Sequence, residues 1–225
     1  MASPLNDPRL EALVDRLHAQ SDLQIDETHA YFARRNHEHP IDEEGYYNED
    51  MYRFLSDKMV ALDREKAEFC YLLCRSLGAK RVVEAGTSFG VSTLYLAAAV
   101  RDNGVEDGVV IGTEYEPRKV EIARANFQEA GLSEFIDLRE GDLRQTLRDI
   151  GGPVDFLLVD IWEVALPALV LVAPSLRPGG IVVCDNTAVD IDEYRDYFEF
   201  VNNPINRFQT MTVPFRGGFE LTVRV

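Results

Sequence analysis

The strongest constraint on the fold is an alternation of short β-rich runs with amphipathic helical segments, which begins at about Lys80. The β-rich runs are RVVEA, GVVIGTE, FIDLREGD, DFLLVD and GIVVCDN. The helical segments between them are GVSTLYLAAAV, PRKVEIARANFQEAG and LPALVLVAPSL. This alternation predicts an α/β protein with a parallel sheet and helices on both of its faces.

The C-terminal end of the chain breaks this alternation. RFQTMTVPF and FELTVRV are two further β-rich runs with RGG between them, and Gly217-Gly218 suits a tight reversal. Together with the five earlier runs they predict a mostly parallel, seven-stranded sheet that ends in an antiparallel hairpin.

The N-terminal part of the chain has a different character from the rest. It is charged, shows helical periodicity and carries all four histidines. Asp7-Pro8 is typical of an N-cap followed by proline in the first turn of a helix, and Asp63 is expected to cap a later helix. We therefore divide the chain into an extra N-terminal helical segment, residues 1–60, and an α/β domain, residues 61–225.

Charge and cysteine content narrow the classes of function. The chain has 39 acidic and 23 basic residues and a formal net charge of −16, which argues against nucleic acid and anionic membrane surfaces as partners. No apolar run reaches the length of a membrane span, and the polar N-terminus does not resemble a secretory signal. The odd number of cysteines, Cys70, Cys74 and Cys184, fits a reducing compartment, and we expect a cytoplasmic location.

The segment VVEAGTSFG, residues 82–90, places a glycine-rich turn directly after the first β-rich run. In open α/β sheets, ligands bind beyond the carboxyl ends of the strands, where the strand order reverses. The spacing Gly86-x-x-x-Gly90 matches neither the dinucleotide fingerprint nor the P-loop. A nicotinamide-dependent oxidoreductase is therefore a weak alternative.

A carboxylate at the end of the next β-rich run indicates a nucleoside ligand. Glu114 can accept hydrogen bonds from both hydroxyls of a ribose. A nucleoside without a diphosphate suits S-adenosylmethionine, whose carboxylate would meet the amides at the start of the following helix, near Ser92. Glu84 or Asp160 could hold the ammonium group of the same ligand.

Two further strand ends carry oxygen ligands. Asp160 ends FLLVD, and Asp185-Asn186 end IVVCDN. If the two strands are adjacent, these ends lie about 5 Å apart. Two carboxylates and an amide oxygen suit magnesium, calcium or manganese rather than zinc. Each of these groups could instead cap the helix that follows it.

From about residue 59 to residue 225 the sequence resembles the class I S-adenosylmethionine-dependent O-methyltransferases of the catechol and caffeoyl-CoA type. The motifs that carry the resemblance are VVEAGTSFGVSTLYLA, GTEYEP, EGDLRQTL, LLVDIWE, LRPGGIVVCDN and the terminal hairpin. The resemblance implies a Rossmann-like sheet and an N-terminal segment that shapes the substrate mouth. The implied cofactor-binding residues, including those argued above, are Glu84, Gly86, Thr87, Ser88, Gly90, Ser92, Glu114, Tyr115, Asp142, Leu143 and Asp160. The implied metal ligands are Asp160, Asp185 and Asn186.

One position departs from the family pattern. In the catechol enzymes a lysine follows the DxW element and acts as general base, whereas Glu163 stands here. Glu163 could take the proton itself, the metal alone could acidify the hydroxyl, or Glu163 could be a solvated residue at a helix start. His37 and His39 are further candidates for the base, or they lie in a wet loop. Trp162 could pack along an aromatic acceptor.

The expected function is methyl transfer from S-adenosylmethionine to a hydroxyl of a small, catechol-like acceptor. A divalent cation would lower the pKa of that hydroxyl, and Asp160 and Glu163 are the candidate catalytic residues. The alternatives are a metal-independent small-molecule methyltransferase and a non-catalytic protein that binds S-adenosylmethionine. Because bacterial relatives of the catechol type are commonly dimers, a homodimer is also expected.

Overall fold

The computed structural model describes residues 3–38, 49–162, 164–189 and 192–225, and these form seven strands and eight α-helices. The strands are β1 (Arg81–Ala85), β2 (Val109–Glu114), β3 (Ile136–Glu140), β4 (Val154–Val159), β5 (Leu176–Asp185), β6 (Phe208–Val213) and β7 (Phe219–Arg224). The helices are α1 (Pro8–Glu38), α2 (Glu49–Leu55), α3 (Arg64–Leu77), α4 (Val91–Asn103), α5 (Pro117–Ala130), α6 (Leu143–Thr146), α7 (Ala165–Val172) and α8 (Arg195–Asn202).

All seven strands belong to one sheet with the order β3-β2-β1-β4-β5-β7-β6. Strands β1 to β5 pair in parallel, whereas β7 runs antiparallel to both β5 and β6. The predicted mostly parallel sheet with an antiparallel C-terminal hairpin is confirmed. The strand order reverses between β1 and β4, so a ligand site is expected where these two strands end.

The central strands are apolar on both faces because helices cover both faces of the sheet. Along β4, the side chains of Phe156 and Leu158 join the core formed with α1, α3, α4 and α5. Leu157 and Val159 join the opposite core, which contains α7 and α8. The continuous apolar run of β4 is therefore explained by burial on two sides.

Helix α1 packs on the sheet domain rather than standing apart from it. It begins where the sequence predicts, since the Asp7 carboxylate accepts hydrogen bonds from the amides of Arg9 and Leu10 at 3.2 and 3.1 Å. Leu10 and Leu13 are at most 3% exposed and lie in the same core as α4 and α5. None of the described helices has the length and apolar character needed to cross a bilayer.

Two details of the helices differ from the sequence predictions. Asp63 stands at the N-cap position of α3, but its side chain makes no capping hydrogen bond, because the carboxylate pairs with Arg216 Nη2 at 2.9 Å instead. Helices α6 and α8 were not predicted, and Tyr197 and Val201 of α8 are buried. On α3, by contrast, Cys70 and Cys74 share the buried face as the spacing suggests.

Candidate active site

The glycine loop between β1 and α4 brings the ends of β1 and β4 together. Gly86 has a φ of +100°, and a Cβ there would lie 2.3 Å from the backbone oxygen of Asp160. The Asp160 amide in turn donates to the Ala85 carbonyl at 2.9 Å. Gly90 is required for another reason, since a Cβ there would lie 2.3 Å from the ring of Phe127 on α5.

The buried side chain of Glu84 stabilises this loop. Its carboxylate is fully buried and accepts hydrogen bonds from the hydroxyls of Thr87 at 2.8 Å, Ser92 at 2.6 Å and Thr93 at 2.5 Å. Burial raises the pKa of Glu84, and the three hydroxyls oppose that rise. Sequence reasoning missed Thr93, because nothing in the sequence distinguishes it from an ordinary helix residue.

Glu114, at the end of β2, is held in place by two backbone amides. Its Oε2 accepts from the Ser88 amide at 2.7 Å, and its Oε1 accepts from the Glu116 amide at 2.8 Å. Ser88 adopts a positive φ of 49°, which turns its amide toward this carboxylate. A carboxylate offers about four lone-pair sites, so Glu114 keeps acceptor capacity for ribose hydroxyls.

A cleft of about 1940 Å³ opens above these strand ends. The predicted site residues that line it are Gly86, Ser88, Glu114, Tyr115, Asp142, Leu143, Asp160, Asp185 and Asn186. Thr87 and Ser92 line a small adjoining crevice beside residues 59–62. Of the described residues that we expected at the cofactor, Glu84 and Gly90 line neither space, so both act on the shape of the loop.

The two predicted acidic strand ends lie side by side. Strands β4 and β5 are paired with Val159 opposite Cys184, so Asp160 and Asp185 follow in register. Burial raises the pKa of both carboxyls, and the Asp185 charge raises that of Asp160 further. Asn186 adopts a positive φ of 62° in the turn after β5.

The turn of the C-terminal hairpin closes one side of this acidic pair. A Cβ at Gly217 would lie 3.0 Å from Asn186 Oδ1, so the glycine allows the hairpin to approach the site. Within the described ranges, no group of three or more His, Cys, Asp or Glu residues is placed to hold a metal ion. The available donor set is two carboxylates and one amide.

Lys66 is a member of the site that sequence reasoning missed. Its Nζ lies 2.5 Å from Asp185 Oδ1, and its side chain is 2% exposed. A signal was present, because Lys66, Cys70 and Cys74 are spaced four residues apart and share the buried face of α3. A lysine on that face of an amphipathic helix needs a buried partner.

Aromatic side chains from the N-terminal helices reach the cleft. The Phe32 ring meets the Trp162 ring edge-on at a centroid distance of 5.9 Å, and both residues line the cleft. Tyr31 stacks on Phe54 of α2 at 3.8 Å. The side chains of the three candidates for the general base cannot be located. His39 and Glu163 lie outside the described residues, and only the backbone of His37 is described.

Comparisons with known proteins agree with this geometry. A family model for a methyltransferase domain matches residues 83–187, from the middle of β1 to the end of β5 and the turn after it. The chain is 35% identical over 129 residues to a catechol O-methyltransferase of Mycobacterium tuberculosis, covering 56% of this chain and 57% of that protein. It is 31% identical over 151 residues to a protein assigned as an O-methyltransferase from Mycolicibacterium smegmatis, covering 59% and 69%.

A solved structure shows the same likeness in three dimensions. The O-methyltransferase from Bacillus cereus, crystallised in complex with SAH, superposes with a TM-score of 0.65 at 25% identity. The superposition covers 73% of this chain and 83% of that one. The chain spans little more than half the length of the catechol O-methyltransferase that it matches in sequence.

Proposed function

Because this chain belongs to the class I S-adenosylmethionine-dependent O-methyltransferases of the catechol and caffeoyl-CoA type, we propose that it transfers a methyl group from S-adenosylmethionine to a hydroxyl oxygen of a small aromatic molecule. One observation carries the proposal. The glycine loop, Glu114 and Asp160 meet in a single cleft at the point where the strand order reverses.

We propose one orientation for the cofactor in this cleft. Glu114 would accept the ribose hydroxyls, and Asp160 would accept from the ammonium of the amino-acid tail. The tail would lie over the glycine loop beside Gly86 and Ser88, close to the first amides of α4. Tyr115, Asp142 and Leu143 would surround the adenine, where all three line the cleft.

The acceptor side of the cleft favours an aromatic ring. Phe32 and Trp162 lie edge to face and both border the open space. Aromatic walls of this kind bury a flat ring with favourable quadrupole contacts. Most of the rate acceleration would then come from alignment of the acceptor oxygen with the sulfonium methyl.

The donor set near Asp160 fits a divalent cation. Two carboxylates with pKa values raised by burial are stabilised by a nearby cation, and carboxylate and amide oxygens suit magnesium, calcium or manganese. Asp160, Asp185 and Asn186 would hold the ion, which when bound lowers the pKa of a coordinated hydroxyl. Asp160 would thus serve both catalysis and cofactor binding, and Glu163 remains the candidate base.

A second candidate is methyl transfer without a metal. It is favoured by Lys66, whose ammonium already neutralises Asp185 at 2.5 Å. The two forms of the reaction differ in their response to a chelator. Metal-assisted transfer stops in excess EDTA, whereas transfer without a metal, with Lys66 neutralising Asp185, continues.

Calorimetry and a turnover assay test the proposed function. We expect S-adenosylmethionine to bind the purified chain, and a panel of catechols to include an acceptor that yields S-adenosylhomocysteine by mass spectrometry. Absence of cofactor binding would overturn the proposal. Binding without turnover of any phenol would instead support a non-catalytic binding protein.

A loss of turnover of about 10²-fold or more in Glu163→Gln would identify Glu163 as the base.

We also propose that the chain forms a homodimer and acts in the cytoplasm. Leu23 on α1 is 85% exposed and Leu72 on α3 is 52% exposed, and a dimer that uses these helices would cover them. The three cysteines are free and buried, which suits a reducing compartment. Light scattering tests the dimer, since the monomer mass is 25.4 kDa, and a monomer at micromolar concentration would contradict it.

A further inference from the structure

Lys66 occupies a position where a metal ion and an ammonium group exclude each other. Its Nζ lies 2.5 Å from Oδ1 of Asp185, whose carboxylate would also be a ligand in the proposed metal site. Ligand oxygens lie about 2.0–2.6 Å from magnesium or calcium. A divalent ion held by the same carboxylate would therefore lie only a few ångströms from the ammonium, where the repulsion between the two charges is strong.

The surroundings of Lys66 give its ammonium a second carboxylate. Asp63 Oδ2 lies 3.7 Å from Lys66 Nζ, three residues earlier at the N-cap position of α3. Asp63 is itself held by Arg216 Nη2 at 2.9 Å, from the turn of the C-terminal hairpin. A small rotation of the lysine side chain would move the ammonium from Asp185 to Asp63.

We infer that Lys66 is a resident counter-ion that competes with the divalent cation for Asp185 and withdraws to Asp63 when the cation binds. This inference rests on the metal-assisted form of the proposed function. Without metal, the ammonium neutralises Asp185 and so stabilises the two neighbouring carboxylates in the folded protein. With metal, Asp63 receives the ammonium. Lys66 and Asp63 therefore set the metal affinity of the site without contacting the metal.

The test is a titration of Mn²⁺ into the purified full chain, with free Mn²⁺ measured by electron paramagnetic resonance at fixed pH and ionic strength. We expect Lys66→Met to lower the Kd for Mn²⁺ at least tenfold, because the competitor is removed. Lys119→Met is the matched control, since Lys119 also lines the cleft but lies over the Phe89 ring. It removes the same charge and should change the Kd less than threefold.

Asp63→Asn provides an independent arm, because Asp63 is partly exposed and is expected to tolerate this isosteric replacement. It should raise the Kd at least fivefold in the wild-type background, where the displaced ammonium loses its acceptor. In the Lys66→Met background it should raise the Kd less than twofold. This double-mutant cycle separates the proposed exchange from a general effect of charge.

Each outcome decides the question. If Mn²⁺ binds the wild type and Lys66→Met leaves the Kd unchanged or raises it, the inference is overturned and metal-assisted transfer stands. If neither protein binds Mn²⁺, both the inference and the metal-assisted form of the reaction are overturned. Turnover in EDTA then still tests methyl transfer itself. If only Lys66→Met binds Mn²⁺, the exchange with Asp63 is overturned, because Lys66 then keeps the ion out of the wild-type site altogether.

Discussion

Glu114 is the single residue on which the orientation of the proposed cofactor depends most. Its carboxylate faces the cleft and is fixed by the amides of Ser88 and Glu116, so it cannot turn away from a ribose. Hydrogen bonds to a charged acceptor are worth about 1.5–3 kcal/mol. The loss of this group should therefore weaken cofactor binding without disturbing the sheet.

We expect Glu114→Ala to weaken S-adenosylmethionine binding by about 1.5–3 kcal/mol, measured by isothermal titration calorimetry. Glu140→Ala is the control, because Glu140 pairs in register with Glu114 and ends the neighbouring strand β3. That variant should bind the cofactor as the wild type does. Unchanged affinity in a folded Glu114→Ala protein would contradict the ribose assignment.

At the scale of the elements, the loop between β1 and α4 depends on close approach to β4. The Cβ of an alanine at position 86 would lie 2.3 Å from a backbone oxygen, which no side-chain rotation relieves. Gly131 has a positive φ of 68° as well, but a Cβ there meets nothing within 4 Å. Both glycines carry a backbone cost of substitution, which is larger at Gly86 because its φ of +100° lies outside the left-handed helical region, and only Gly86 adds the clash.

Gly131→Ala is expected to lower the free energy of unfolding by about 1 kcal/mol through its positive φ. Gly86→Ala should lower it by about 3 kcal/mol or more, since overpacking adds to that cost, and should abolish cofactor binding. Urea unfolding and calorimetry measure the two effects. Equal losses of stability in the two variants would show that the β1–β4 approach is not what Gly86 protects.

The same elements show what a sequence can predict. Strand ends are local features, so Glu114, Asp160 and Asp185 were placed from their positions after apolar runs, and the parallel pairing of β4 with β5 then brought the two aspartates together. Lys66 was missed because its contact with Asp185 joins residues 119 positions apart. Helix α8 was missed because its aromatic and asparagine residues have weak helix propensity and tertiary packing decides its state.

At the scale of the whole molecule, helix α1 is stabilised by its contact with α4. His18 Nε2 lies 3.3 Å from the Tyr95 hydroxyl, beneath the buried face of α1. Burial and the charge of Arg64 lower the pKa of His18 from 6.5 to about 4, while Asp22, Asp15 and Asp63 oppose the shift. The folded protein therefore favours neutral His18, whereas the unfolded chain binds a proton there below about pH 6.5.

The free energy of unfolding should consequently fall as the pH is lowered, because of this contact. Between pH 6.5 and about 4 the unfolded state holds more protons at His18 than the folded state does, so this part of the stability is complete above pH 6.5 and is lost as the pH falls toward 4. Urea unfolding at pH 7.0 and 4.5 measures the loss, and His18→Gln should reduce it. His29→Gln, an exposed position on the same helix, should keep the wild-type loss. If His18→Gln loses as much stability as the wild type over this range, the titration of His18 is not what loosens α1 in acid.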